Sequence, residues 1–240
     1  MTLSETARRW LLWTGVVAVI FALRIGCLIY ERSRPLSKSR VAQRVIEKDH
    51  LVAVPKFQVN DFQSARQLIG KTLWVKLGYA VEYYALQRSG GRTLKAPALQ
   101  FKPVEKLLVS DVIEKPIPAA RDKEVLLLFD REGIKYATSV GRYDANMQSY
   151  QMLLDELFYV KDPHELYEHW GEEVWKKVER HELEPGMTVT QVGLSLGYGS
   201  LVTLQAGGIQ LYEFTRKPGG EIGKTRVRFL DGRVKEFELR

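Results

Sequence analysis

Cysteine is nearly absent from this chain, and that absence excludes two classes of protein. The 240 residues contain one cysteine, Cys27. A single thiol cannot build a disulfide framework, and it cannot supply the ligands of a cysteine-based metal site. We therefore expect a fold stabilised by an apolar core. Separately, since no metal-ligating or phosphate-binding motif in the sequence has the geometry that it requires, we expect no metal and no other cofactor.

Long apolar runs are also lacking after the first 30 residues. With 45% hydrophobic and 27% charged residues, the composition is that of an ordinary globular protein. This balance excludes a disordered chain, a collagen-like chain and a protein with many membrane spans.

A dispersed excess of positive charge is missing as well. The net charge is +7, but residues 1–50 hold 9 Lys/Arg against 4 Asp/Glu and thus account for +5 of it. The other 190 residues hold 27 Lys/Arg against 25 Asp/Glu and thus contribute only +2. Because nucleic-acid-binding domains carry a basic face, this distribution argues against a nucleic-acid partner.

One apolar stretch is present, at the start of the chain. Residues 10–23 carry no charge, and residues 25–30 continue the stretch after Arg24. As a helix, residues 10–30 would measure about 31 Å, which is enough to cross a bilayer. The sequence predicts a single transmembrane anchor in residues 1–31 that contacts the lipid bilayer through residues 10–30. The alternative is a lipoprotein signal that is cleaved before Cys27, which would then be lipidated.

Residues 32–56 form a basic connector, and residues 57–145 are rich in strand patterns. Alternating or β-branched segments occur at residues 72–77, 81–86, 104–113, 124–129 and 134–139. Short strands at this density predict a small β-barrel-like domain of the Src-homology-3 kind.

Residues 146–240 are predicted to form a helical segment followed by an α+β domain. From Met147 the pattern becomes helical, with an Asp162-Pro163 start and a division at Gly171. A capping box, Thr188 to Gln191, begins a further helix that ends at Gly197. Four strands follow, at residues 201–204, 209–215, 225–230 and 233–239, and Asp231-Gly232 joins the last two as a hairpin turn.

The motifs of this last region resemble a known family. They are Gly186-Met187-Thr188, Gln191-Val192, Ser195-Leu196-Gly197, the aromatic strand with Tyr212 and Phe214, and residues 229–234. They are similar to the SmpA/OmlA (BamE-type) family of small envelope lipoproteins, over about 70 residues from Trp170 onward. The resemblance implies two helices on a three-stranded antiparallel sheet and a role in outer-membrane assembly.

The fold class that follows from the sequence is α+β. It comprises an N-terminal transmembrane helix, a small Src-homology-3-like β-barrel domain, a helical segment and the BamE-like domain. The predicted location is the bacterial inner membrane, as a single-pass protein. The resemblance places the soluble part in the periplasm, whereas the Lys/Arg count around the anchor favours the cytoplasm.

Two segments match catalytic or metal-binding motifs in residue type but not in the geometry that the chemistry requires. Gly193 to Gly197 matches G-x-S-x-G, but Ser195 lies in a predicted helix, and all four histidines precede it in the chain. His164 and His169 are five residues apart, a spacing that does not bring both rings to one metal ion on a helix.

The function predicted from these observations is that of a membrane-anchored, non-catalytic envelope protein. It would scaffold or bind other membrane or envelope proteins, for example as an accessory subunit of a membrane complex. The candidate interface residues are Trp170, Trp175, Tyr198 and Tyr212. Two alternatives stay open. The first is an envelope hydrolase with an unrecognised Asp/Glu or His site on the acidic helices, which would use Glu165, Glu168, Glu172 and Glu173. The second is a ligand-sensing module in the predicted barrel, which would use Trp74, Tyr83 and Tyr84.

Overall fold

The computed structural model describes four ranges and one isolated residue: 47–86, 98–118, 120–205, 207–240 and Arg24. The four ranges belong to one compact unit, Glu47–Arg240. The predicted span at residues 10–30 and Cys27 lie outside the described residues, Arg24 excepted, as does most of the basic connector.

Nine short strands lie between residues 72 and 159 of the described chain, and all their pairings are antiparallel. They are β1 (Thr72–Val75), β2 (Glu82–Ala85), β3 (Leu99–Gln100), β4 (Lys106–Leu108), β5 (Asp111–Pro116), β6 (Lys123–Arg131), β7 (Ile134–Asp144), β8 (Ser149–Met152) and β9 (Phe158–Tyr159). One sheet has the order β4-β1-β9. The second has the order β3-β2-β7-β6-β5, and β8 pairs with β7.

Alternation explains why these segments are strands. In β1, Leu73 and Val75 are fully buried while Thr72 and Trp74 are half-buried, as the two-residue period of a strand requires. The longest hairpin joins β6 to β7 at Glu132-Gly133, where both residues have positive φ. Local signals thus place β1, β2 and β4 to β7 close to the predicted segments, whereas β3, β8 and β9 lie outside those segments.

The core between these strands is aromatic. The rings of Tyr83 and Phe101 lie 4.4 Å apart, and those of Phe101 and Phe129 lie 5.3 Å apart. The Arg131 guanidinium lies over all three rings and forms an ion pair with Glu105 at 2.6 Å. Cation–π contacts and an ion pair together hold this arginine in place.

Five short α-helices occur in the described residues, and four strands close the chain. The helices are α1 (Phe62–Ala65), α2 (Leu154–Leu157), α3 (Pro163–Leu166), α4 (Glu172–Glu179) and α5 (Val189–Leu196). The strands are β10 (Gly199–Gln205), β11 (Ile209–Arg216), β12 (Ile222–Leu230) and β13 (Arg233–Leu239), in that order across one antiparallel sheet.

Several local predictions for this region are confirmed. Thr188 and Gln191 form the capping box of α5, and Gly197 ends that helix with φ 83°. Gly171 is the residue before α4, so the helical segment divides there as predicted. The Asp231-Gly232 turn joins β12 to β13, with φ values of 50° and 80°.

The predicted fold class is wrong. The described residues are mostly β, and their three antiparallel sheets are open, with no closed barrel among them. The last sheet has four strands, where the resemblance implies three. The helical pattern predicted from Met147 is also wrong at its start, where β8 pairs with β7 and Tyr150 lies opposite Tyr143.

The predicted membrane location is contradicted too. In the part of the chain that the structure describes, no helix has both the length and the apolar character needed to cross a bilayer. The longest helices there, α4 and α5, have eight residues each. We therefore withdraw the single-pass prediction and the inner-membrane location.

Candidate protein-binding surface

The strand β10 is one edge of the C-terminal sheet. Its residues, Gly199–Gln205, pair with β11 on one side. On the other side, no strand among the described residues pairs with it. An edge strand leaves a row of backbone N–H and C=O groups available for another strand.

The side chains of β10 are exposed and partly apolar. Leu201, Val202 and Leu204 are 51%, 49% and 65% exposed, and Tyr198 just before the strand is 56% exposed. A single exposed leucine is ordinary on a protein surface, but four large apolar side chains within seven residues form a patch. Such patches mark interaction sites.

The cross-strand register explains why the leucines are exposed. Leu201 lies opposite Tyr212, and Leu204 lies opposite Gln210. Those residues in turn lie opposite the fully buried Val227 and Phe229 on β12, so both leucines are on the core face of the sheet. That face is covered at β12 and left open at β10.

A β-bulge puts the two leucines on the same face. The register between β10 and β11 shifts between Leu201 and Thr203, which makes Val202 the extra residue. Without the bulge, residues three apart in a strand would point to opposite faces.

The two edges of this sheet differ in charge. No charged residue occurs between Gly193 and Tyr212, a stretch that includes all of β10. The opposite edge, β13, carries Arg233, Lys235, Glu236 and Glu238. Charged side chains are the usual protection of an edge strand against unwanted pairing. Among the described residues of β10, the bulge interrupts the regular edge, but no charged side chain opposes pairing.

Two glycines fix where β10 begins. A Cβ atom on Gly197 would lie 2.3 Å from the carbonyl oxygen of Gly78, and its φ of 83° also favours glycine. A Cβ atom on Gly199 would lie 2.5 Å from the Phe214 ring. At the end of α5 the backbone therefore contacts the loop between β1 and β2. It then enters the sheet beside β11, in contact with the Phe214 ring.

Residues 47–54, which we name the strap, are distant in sequence from the C-terminal region but contact it. Glu47 accepts two hydrogen bonds from Arg233, at 2.7 and 2.9 Å, and Val52 and Val54 pack against the C-terminal core. The strap therefore ties the beginning of the described chain to its last strands and helices.

Asp49 is the polar centre of the strap. Its side chain is 3% exposed and accepts hydrogen bonds from Trp170 Nε1 at 2.7 Å, from His169 Nε2 at 2.7 Å and from Thr188 Oγ1 at 2.5 Å. Burial alone would raise the pKa of Asp49, but the hydrogen bonds from Thr188, Trp170 and His169 outweigh it and lower that pKa.

The geometry around Asp49 suits stabilisation rather than catalysis. A nucleophilic hydroxyl needs an adjacent general base that can take its proton, most often a histidine. Here the Thr188 hydroxyl donates to Asp49 and accepts from the backbone N–H of Gln191, so it is used as a helix cap. His169 likewise bonds to Asp49, and no bond joins it to Thr188 among the contacts of the described residues.

Sequence reasoning missed the strap, although a signal for it was present. Glu47 and Asp49 are acidic residues in a connector that is otherwise strongly basic. Their partners are more than 100 positions away in the chain, so no local pattern identifies them.

The four predicted interface residues divide into two pairs. Trp170 and Trp175 are 5% and 7% exposed, and their rings pack against each other 4.9 Å apart in the core. Tyr198 and Tyr212 both adjoin β10, the first just before it and the second directly opposite Leu201. The structure thus brings Tyr198 to the exposed edge, whereas Tyr212 is half-buried on β11 and packs against the same core as the tryptophans.

The carboxylates named for the hydrolase alternative do not converge. All four are exposed to solvent, and no group of metal-ligating side chains occurs among the described residues. Their side chains are 62% exposed at Glu165, 82% at Glu172 and 80% at Glu173. Ser195 is fully buried in α5, where its hydroxyl donates to the carbonyl oxygen of Glu182.

The aromatic residues named for the ligand-sensing alternative lie in packed surroundings. Tyr83 is 7% exposed within the aromatic core. Trp74 and Tyr84 are half-buried, and each packs against a core cluster. All three side chains therefore contribute to core packing, which argues against their serving as the lining of a ligand groove.

Comparisons of the chain with protein-family models, with curated proteins and with solved structures found no match. The resemblance to the SmpA/OmlA family therefore depends on the sequence motifs alone.

Proposed function

We propose that this chain is a non-catalytic protein-binding protein that takes up an extended segment of another polypeptide along β10. The observation that carries the proposal is an exposed edge strand with apolar side chains and no charge. Strand addition obtains affinity from main-chain hydrogen bonds and specificity from alternate side chains.

The chemistry of β10 defines what such a segment must contain. It must be extended and free of proline at every second position, where the backbone N–H group faces β10 and donates to it. Its side chains beside Leu201 and Leu204 must be apolar, since those leucines lie on the open part of the core face. Tyr198 offers a further contact at the beginning of the strand.

The motif resemblance supports this role without adding a site. SmpA/OmlA proteins act in assembly, which is a binding function, and the resemblance implies partners among bacterial envelope proteins. The Asp49 cluster and the exposed acidic side chains offer no competing catalytic arrangement.

Position-specific photo-crosslinking tests the proposal. A photoreactive residue replaces Leu204 in one full-length variant and Leu239 in its control. Both leucines are exposed, and they lie on the two opposite edge strands. In the cells that naturally produce the chain, we expect adducts at position 204 that are absent at position 239 and that Leu201→Lys removes.

The crosslinked segment is then identified by mass spectrometry and synthesised as a peptide. Added to the purified chain, it should slow amide hydrogen exchange in residues 199–205. Equal adducts at both positions, or a peptide that leaves exchange in β10 unchanged, would refute the proposal.

A further inference from the structure

We infer that the polypeptide taken up by β10 is β10 of a second copy of this chain. The two strands would pair antiparallel about a two-fold axis and join two four-stranded sheets into one of eight strands. This inference rests on the proposed strand addition and names its partner.

Like charges near the two-fold axis would oppose self-pairing, and β10 carries no charge. In a two-fold antiparallel pair, a charged side chain close to the axis would approach the same side chain of the other copy. The uncharged stretch from Gly193 to Tyr212 removes that repulsion. The nearest charge on β11, Glu213, is already paired with Lys224 at 2.9 Å and with Arg226 at 3.0 Å.

One register makes the apolar side chains complementary. If the two-fold axis passes between Val202 and Thr203, Leu201 of each copy lies opposite Leu204 of the other. Because the bulge puts both leucines on the core face, the register forms two leucine pairs on one side of the joined sheet. Ser200 then lies opposite Gln205, which are both uncharged.

The other edge of the sheet does not offer an equivalent partner. Pairing β10 of one copy with β13 of the next would be a head-to-tail contact, which repeats into a ring or an open filament instead of a dimer. The four charged residues of β13 oppose such an arrangement, whereas β10 with β10 closes after two copies.

Sedimentation equilibrium of the purified full-length chain tests the partner. We expect a monomer–dimer equilibrium that Leu204→Lys weakens by at least about tenfold. The matched control, Leu239→Lys, should leave it unchanged. Leu204 is 65% exposed, so the substitution should not disturb folding, and circular dichroism checks this.

Disulfide trapping tests the register. In a Cys27→Ser background, chains with Leu201→Cys are mixed with chains bearing Leu204→Cys. The mixture should give a mixed disulfide dimer upon oxidation, whereas either variant alone should give little. Two cysteines three residues apart in one strand are too distant to form a disulfide within a chain. A variant with both Leu201→Cys and Leu204→Cys should therefore also form disulfides between two copies.

The outcomes separate this inference from the proposed function. A chain that stays monomeric but shows peptide protection at residues 199–205 refutes the second copy and leaves strand addition intact. A dimer that ignores Leu204→Lys refutes pairing through β10. A result that shows neither a dimer nor peptide protection at residues 199–205 refutes both proposals.

Discussion

Replacing Asp49 with alanine should destabilise the protein by about 2–4 kcal/mol. The substitution leaves the buried Trp170 Nε1 without an acceptor, and an unsatisfied buried donor costs about 1–3 kcal/mol. It also removes the bond from Thr188, which is as buried as Trp170, and the bond from His169, whose side chain is 21% exposed and can partly turn to water. The strap would then be held by Glu47 and the two valines alone.

Denaturant unfolding at neutral pH, followed by circular dichroism and tryptophan fluorescence, measures this loss. Glu168→Ala is the control, because Glu168 is exposed on the same segment as His169. We expect the control to change the unfolding free energy by less than about 0.5 kcal/mol. An Asp49→Ala variant as stable as the control would show that the strap does not hold the C-terminal region.

The same site predicts a pH dependence. Because folding lowers the pKa of Asp49, its contribution to stability is fully present above the pKa of the unfolded chain. That contribution is lost as the pH falls through the lower pKa of the folded state. The stability difference between the wild type and Asp49→Asn should therefore shrink in acid, and a difference that grows in acid would contradict the assignment.

Three further predictions concern other contacts. A double-mutant cycle on Glu47 and Arg233 should give a coupling of about 0.5–1 kcal/mol, because the pair is bidentate but partly exposed. Gly197→Ala should cost more unfolding free energy than Gly186→Ala, since both have positive φ but only Gly197 also lacks space for a Cβ atom; equal losses would contradict the close approach to Gly78. Hydrogen bonding to a glutamate raises the pKa of Tyr150 to about 12, so Tyr150→Phe should not reduce tyrosinate absorbance below that pH.

Much of the C-terminal region was predictable because its signals are local. The Thr188–Gln191 capping box, the stop at Gly197 and the Asp231-Gly232 turn each depend on residues within a few positions of one another. The chemistry of such signals is complete within a short peptide, so the sequence displays it directly.

The sheets were not predictable in the same way. Trp74 on β1 pairs with Tyr159 on β9, across a separation that no short pattern encodes. The strand β8 has four residues, too few for its alternation to compete with the helical spacing that follows. Whether strands close into a barrel is decided by such distant pairings.

The candidate site shows the same limit. Tyr198 and Tyr212 are aromatic residues like Trp170 and Trp175, and composition alone does not separate them. The tryptophans are buried because α4 and the preceding turn pack onto the core, and Trp170 also bonds to a carboxylate 121 positions away. Exposure is set by that packing and not by residue type.

The strap also determines how the molecule would carry mechanical load. Tension that enters the chain at Glu47 passes first to Arg233 and then, through Asp49, to the segments that hold His169 and Thr188. The strands β1 to β9 follow the strap in sequence, yet they would be loaded only after those bonds break. The C-terminal region therefore anchors the strap. The bonds between the strap and that region would be the first to break under force.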